Sequence, residues 1–155
     1  MEDKLIKQIL SSAKTIAMVG VSSIKKESST NIKRRPSTIV MKYLQEFGYR
    51  VIPVNPFSAG QEIYGETIVS KLEEINIPID IVDVFRPSNE ALEIAKDTVK
   101  IKAKVLWLQL GIKSDEAKAI VELNNIEYIE NKCTKIEYQK IFLKKAQDFP
   151  ALINR

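Results

Sequence analysis

The sequence contains no histidine and only one cysteine, Cys133. Histidine is the side chain best suited to proton transfer near neutral pH, and it is the commonest metal ligand. Its absence excludes Ser-His and Cys-His nucleophile pairs and, with a single cysteine, the usual zinc sites. Catalysis by lysine or carboxylates stays open, but the absence favours a binding module over an enzyme. We therefore predict neither catalytic residues nor a metal site.

Long hydrophobic runs are also missing. No apolar stretch approaches the roughly 20 residues that a membrane-spanning helix needs, and the first residues lack the apolar core of a secretory signal. The single cysteine excludes an intrachain disulfide framework and suits a reducing compartment. We expect a cytoplasmic protein with no membrane partner.

The charge balance is mildly basic, with 24 Lys+Arg against 20 Asp+Glu and a formal net charge of +4. This excess suits a small polyanionic ligand. The basic residues are spread along the chain and are not interleaved with aromatic side chains on which bases would stack. We expect a small-molecule ligand, with a nucleic-acid or protein partner at the basic loop as the less favoured alternative.

Short apolar runs alternate with segments of helical hydrophobic spacing. The runs predict strands over 15–21, 50–54, 80–85, 103–108 and 127–129. The segments between them predict helices over 3–13, 37–47, 70–74, 89–100, 115–124 and 134–146, with Ser88 and Ser114 as N-caps. This alternation is typical of an α/β fold with a Rossmann-like, doubly wound sheet of about five parallel strands and helices on both faces. We expect one domain over 1–147 and a C-terminal tail over 148–155.

The end of the first strand predicts an anion site. The apolar run from Ile16 to Val19 stops at Gly20, and the small residues Ser22 and Ser23 follow. After a polar loop, the next helix begins near the segment Arg34-Arg35-Pro36-Ser37. A strand, a glycine turn and a helix N-terminus direct free backbone N–H groups and the helix dipole at one spot, which favours a phosphate.

The other strands end in small, polar or basic residues that are predicted to meet at the same edge, where open α/β sheets bind their ligands. They are Asn55 and Pro56 after the second strand, Phe85, Arg86 and Pro87 after the third, Gln109 and Gly111 after the fourth, and Asn131 and Cys133 after the fifth.

NADP and coenzyme A both fit a ligand with several phosphates. The first turn, however, lacks the Gly-x-Gly-x-x-Gly fingerprint of dinucleotide-binding proteins. Asn55 stands where a carboxylate would hold the adenosine ribose. Arg34 and Arg35 could neutralise phosphates bidentately. On these residues, an NADP-dependent oxidoreductase or another nucleotide-binding enzyme is the alternative to a CoA-binding protein.

Seven segments resemble one family in order, across about residues 12–142. They read IAMVGVSS (16–23), RPS (35–37), LQEFGYRVIPVNP (44–56), EIYG (62–65), DIVDVFRP (80–87), VLWLQLGI (105–112) and NKC (131–133), the last followed by Glu137. The family is the stand-alone CoA-binding domains, small bacterial and archaeal Rossmann proteins related to the CoA-binding domain of the succinyl-CoA synthetase α subunit.

The resemblance implies a protein that binds coenzyme A or an acyl-CoA without an attached ligase domain. It implies that Gly20, Ser22 and Ser23 face the pyrophosphate and that Arg34 and Arg35 help to hold the phosphates, with Val21, Pro36 and Ser37 in the same cofactor-binding set. It also implies that Asn55, Pro56, Phe85, Arg86 and Pro87 flank the adenosine and pantetheine. Gln109, Gly111, Asn131 and Cys133 would line the far side of the crevice. The loop 24–33 is longer and more polar than the family pattern. Cys133 could form a mixed disulfide with the thiol of CoA, although a packing role is the favoured interpretation.

Overall fold

The computed structural model describes residues 2–21 and 36–143. Its elements along the chain are α1 (Glu2–Ser12), β1 (Thr15–Val19), α2 (Pro36–Glu46), β2 (Arg50–Val54), β3 (Glu62–Ile63), β4 (Glu66–Thr67), β5 (Ile81–Val84), α3 (Ala91–Lys100), β6 (Val105–Leu108), α4 (Asp115–Leu123), β7 (Glu127–Ile129) and α5 (Thr134–Phe142). Two 3-10 turns, Leu72–Glu74 and Ser88–Glu90, precede β5 and α3.

Five strands form one parallel sheet in the order β2-β1-β5-β6-β7. Val19 of β1 is aligned with Val54 of β2 and with Val84 of β5, so three strands end at the same edge. Beyond β2, Val69 makes a single parallel bridge to Val54 and stands where the Rossmann order has its third strand. The predicted Rossmann-like α/β fold is confirmed, and the strand order reverses between β1 and β5.

Helices cover both faces of the sheet, as predicted. One face packs against α1, α2 and α5 through residues such as Ile6, Met41 and Leu44. The other face packs against α3 and α4, where the small side chains of Ala95 and Ala117 allow a close approach. The strands between the two layers are almost wholly buried, because a parallel sheet is covered on both sides.

Of the two predicted helix caps, the structure confirms one. The hydroxyl of Ser114 accepts the N–H of Ala117 at 3.0 Å and caps α4, as predicted. The prediction for Ser88 is wrong. Its hydroxyl instead accepts the backbone N–H of Lys113 at 3.0 Å, and α3 begins at Ala91 after a 3-10 turn, without a side-chain cap.

A small antiparallel hairpin, β3 and β4, was not predicted from the sequence. Its strands have two residues each, which is too short to show a period of two. The predicted helix over 70–74 is the 3-10 turn Leu72–Glu74. The longest helices within 2–21 and 36–143, α1 and α2, have 11 residues each, and none there is long and apolar enough to cross a membrane.

Candidate ligand-binding site

Gly20 makes a tight turn at the end of β1, between the ends of β2 and β5. Its N–H donates to the carbonyl of Val54 at 2.8 Å, and its φ is +106°. A Cβ at this position would lie 2.8 Å from the carbonyl oxygen of Phe85 and 3.1 Å from Cδ of Arg86. Only glycine permits both this backbone conformation and this approach, so the turn lies directly against the end of β5.

Asn55, at the end of β2, uses both ends of its side-chain amide within the protein. Its Nδ2 donates to the carbonyl of Val21 at 2.9 Å, and its Oδ1 accepts the N–H of Phe57 at 2.9 Å. The side chain is buried. Asn55 therefore joins the loop after β1 to the loop after β2. In dinucleotide-binding Rossmann domains a carboxylate near this position holds a ribose, whereas the amide of Asn55 is engaged in these two hydrogen bonds within the protein.

A cleft of about 390 Å³ opens beside Gly20, between the ends of β1, β2 and β5 and one face of α3. It brings together four of the predicted residues: Gly20, Asn55, Pro56 and Arg86. The other nine residues that line it were not among the predicted site residues: Val19, Val54, Phe57, Ser70, Lys71, Leu72, Glu90, Ile94 and Asp97. The spacing of Glu90, Ile94 and Asp97 puts them on one helical face, but only the fold shows that this face meets the cleft.

Arg86 forms a two-point ion pair with Glu90, and both residues line this cleft. Nε of Arg86 lies 2.9 Å from Oε1 of Glu90, and Nη2 lies 2.6 Å from Oε2. The Glu90 carboxylate holds the pKa of Arg86 above its ordinary value, and Arg86 holds the pKa of Glu90 below its own. The pair leaves the end-on N–H groups of the guanidinium available to a further acceptor.

The N-terminus of α2 lies next to the Gly20 turn. Pro36 is its first residue and is exposed, while Ser37 is buried with its hydroxyl 3.5 Å from the carbonyl of Gly20. The first turn of an α-helix has free N–H groups and a partial positive charge, so this end of the cleft suits an anion. Ser22, Ser23, Arg34 and Arg35 lie outside the described residues.

A second polar group lies further along the sheet, between β5, β6 and the start of α5. Gln109 donates from Nε2 to Oδ1 of Asp83 at 2.5 Å and to Oγ1 of Thr134 at 3.1 Å. Thr134 donates to Oδ2 of Asp83 at 3.0 Å. Burial raises the pKa of Asp83 to about 7, although both hydrogen-bond donors act in the opposite direction. The side chain of Gln109 is thus committed to the buried Asp83 and does not line the cleft.

The remaining predicted residues that the structure describes do not line the cleft. The N–H of Gly111 donates to Oδ1 of Asn131 at 2.7 Å, which joins the loops after β6 and β7. Val21 is fully buried, Phe85 is half-buried against the core, and Pro87 is exposed. Cys133 is half-buried, and burial raises the pKa of its thiol, with the charge of Asp83 adding to the effect.

No group of three or more histidine, cysteine, aspartate or glutamate side chains within 2–21 and 36–143 could hold a metal ion. The residues that line the cleft offer a ligand both hydrogen-bonding and apolar contacts, with two cations and two carboxylates among them. The charged side chains that line it are Arg86, Lys71, Glu90 and Asp97.

Comparison with known proteins places the chain among CoA-binding domains. A model of the family described as CoA binding domain matches residues 14–139. The uncharacterized protein YneT of Bacillus subtilis is 37% identical over 133 residues, which is 86% of this chain and 91% of that protein. A Thermus thermophilus protein of known structure is 34% identical with a TM-score of 0.82, over 92% of this chain and all of the other.

A larger enzyme shares the fold alone. The dinucleotide forming acetyl-coenzyme A synthetase 1 of Candidatus Korarchaeum cryptofilum superposes on 74% of this chain with a TM-score of 0.58 and 20% identity. The matched region is 25% of the enzyme's chain, so this chain is similar to one part of it.

Proposed function

Since the chain belongs to the CoA binding domain family, we propose that it binds coenzyme A or an acyl-CoA at the carboxyl edge of its sheet, as a binding module without chemistry of its own. The observation that carries the proposal is the cleft beside Gly20. It opens where the strand order reverses, which is where open α/β sheets bind nucleotides, and its volume of about 390 Å³ suits a nucleoside.

The distribution of charged residues is the basis on which we assign the parts of the ligand to two regions of the site. Within the cleft, Arg86 is paired with Glu90, and one further cation, Lys71, and one further carboxylate, Asp97, line it without forming an ion pair, so the cleft carries no excess of either charge and favours the uncharged base and sugar. The phosphates are assigned to the Gly20 turn and the N-terminus of α2, where the helix dipole gives a partial positive charge. Ser22, Ser23, Arg34 and Arg35 follow this turn in the sequence, and we assign them to the phosphates as well.

The pantetheine arm is assigned to the side of the edge that carries Gln109, Gly111, Asn131 and Cys133. Two features there support binding over catalysis. The carboxyl group of Asp83 is enclosed by Gln109 and Thr134, so it has no route to a substrate. The thiol of Cys133 has a raised pKa, and a protonated thiol is a poor nucleophile.

Thermal unfolding with and without CoA tests the proposal. CoA at about 100 times its Kd should raise Tm by about 5–10 °C for a domain of this size. The double variant Arg34→Ala/Arg35→Ala should lose much of that shift, whereas Lys4→Ala/Lys7→Ala, which removes two exposed cations of α1, should keep it. Absence of any shift with millimolar CoA, or a larger shift with NADPH, would contradict CoA binding.

A further inference from the structure

Asp97 is a carboxylate without a partner that faces the cleft. It is half-buried on α3, and within 2–21 and 36–143 its carboxylate makes no hydrogen bond or ion pair. Burial raises its pKa, the charges of Lys100 and Lys71 lower it, and those of Glu73 and Glu93 raise it. Asp97 is not among the buried polar atoms that lack a partner, so its oxygens are open to the cleft and can accept a hydrogen bond from a ligand without first breaking a contact within the protein.

The distance of Asp97 along α3 from the end near the Gly20 turn matches the distance between the phosphates of a nucleotide and its base. Glu90, Ile94 and Asp97 line the cleft in that order, and Glu90 is paired with Arg86 close to the turn. Asp97 is the sixth residue after Ala91 on α3, which corresponds to about 9 Å along the helix axis. A nucleotide with its phosphates at the turn would bring its base, rather than its sugar, to this distance.

The surroundings of Asp97 favour a planar base as well. Leu72 and Ile94 are apolar walls of the same cleft, and Phe57 is an exposed aromatic ring at its rim, 86% accessible. Aromatic and aliphatic walls accommodate a purine ring, while an ionised carboxylate accepts hydrogen bonds and donates none. The same negative charge disfavours a phosphate at this end of the cleft.

We propose that Asp97 reads the base of the ligand by accepting a hydrogen bond from the exocyclic 6-amino group of adenine. The inference rests on the proposed CoA binding and makes Asp97 a specificity-determining residue. A base with a carbonyl oxygen at this position turns an acceptor toward the carboxylate and is rejected.

Isothermal titration with two ligands tests the inference. One is CoA, and the other is the CoA analogue that carries hypoxanthine, in which an oxygen replaces the amino group with almost no change in shape. The wild-type protein should bind CoA about tenfold or more tightly than the analogue, as expected for a hydrogen bond to a charged group. Asp97→Ala should weaken CoA binding and reduce the preference to within about twofold.

Two further variants separate recognition from a general effect on the fold. In Asp97→Asn, the amide can donate to the hypoxanthine oxygen, so the preference should vanish or reverse while both ligands still bind. Glu93→Ala removes an exposed carboxylate from the same helix, one that pairs with Lys96, and should keep the wild-type preference. A preference that persists in Asp97→Ala, or a wild-type protein that binds both ligands equally, would overturn the inference and leave CoA binding intact. Failure of the wild-type protein to bind either ligand would overturn both proposals.

Discussion

The side-chain amide of Asn55 donates a hydrogen bond of 2.9 Å to the carbonyl of Val21, across the ends of β1 and β2. The other end of the same amide accepts the N–H of Phe57. Asn55 therefore fixes the backbone on both sides of the cleft, immediately before the residues assigned to the phosphates. The amide N–H group of Asn55 is the feature that an aspartate cannot replace, because a carboxylate of the same shape can accept from Phe57 but cannot donate to Val21.

Replacement of Asn55 by Asp should destabilise the protein and weaken CoA binding. The buried carbonyl of Val21 would lose its donor and face a carboxylate, at a cost of about 2–3 kcal/mol. Chemical denaturation measures the stability, and titration with CoA measures the affinity. Asn124→Asp is the matched control, since Asn124 also donates to a backbone carbonyl at 2.9 Å, but at an exposed helix end. Equal effects of the two substitutions would contradict the role given to Asn55.

Replacement of Gly20 by Ala should lower the free energy of unfolding more than the same change at Gly65. Both glycines have a positive φ, +106° and +84°, so both alanine variants incur about 1–2 kcal/mol of backbone strain. Nothing lies within 4 Å of a Cβ at Gly65, whereas a Cβ at Gly20 meets the carbonyl of Phe85 at 2.8 Å. The difference between the two unfolding free energies isolates this close approach. If Gly20→Ala bound CoA normally and lost no more stability than Gly65→Ala, the turn would not have the proposed role.

The buried carboxyl of Asp83 should make the stability depend on pH. Its pKa rises from an ordinary value near 4 in the unfolded chain to about 7 in the folded protein, because it is buried. Between these two pH values the folded state holds the proton more tightly, so this group's contribution to the free energy of unfolding falls as the pH rises. The fall is at most about 1.4 kcal/mol per pH unit, and it ends above pH 7.

Asp83→Asn should remove this part of the pH dependence, since the amide does not titrate. Urea denaturation of the wild-type protein and the variant between pH 4.5 and 8 measures the two slopes. Asp3→Asn, an exposed change at the start of α1, is the control and should leave the slope as it is. Parallel curves for wild type and Asp83→Asn would show that Asp83 does not titrate in this range.

Cys133 should react slowly with iodoacetamide at neutral pH, because burial raises the pKa of its thiol and keeps it protonated. The rate should be below that of glutathione and should increase steeply with pH. Cys133→Ser should bind CoA as the wild type does. Rapid alkylation at pH 7, or a disulfide between CoA and Cys133 in the purified protein, would instead identify a reactive thiol.

The sheet and most helices were predictable because each strand is a short apolar run bounded by glycine, proline or polar residues. The strands over 50–54 and 127–129 were predicted to the residue. The site was less predictable, since a sequence shows which residues follow each strand and not where their side chains bond. Asn55 and Gln109 follow strands as expected, yet both are committed to neighbours within the protein. Asp97 lies seven residues beyond Glu90, and only the packing of α3 beside the sheet brings it to the cleft.

Native mass spectrometry of the protein, purified without added ligand and then titrated with CoA, tests the central claim most directly. The account predicts one CoA or acyl-CoA per chain, held without a covalent bond and released on denaturation. A protein that stays at its unliganded mass in millimolar CoA would contradict it.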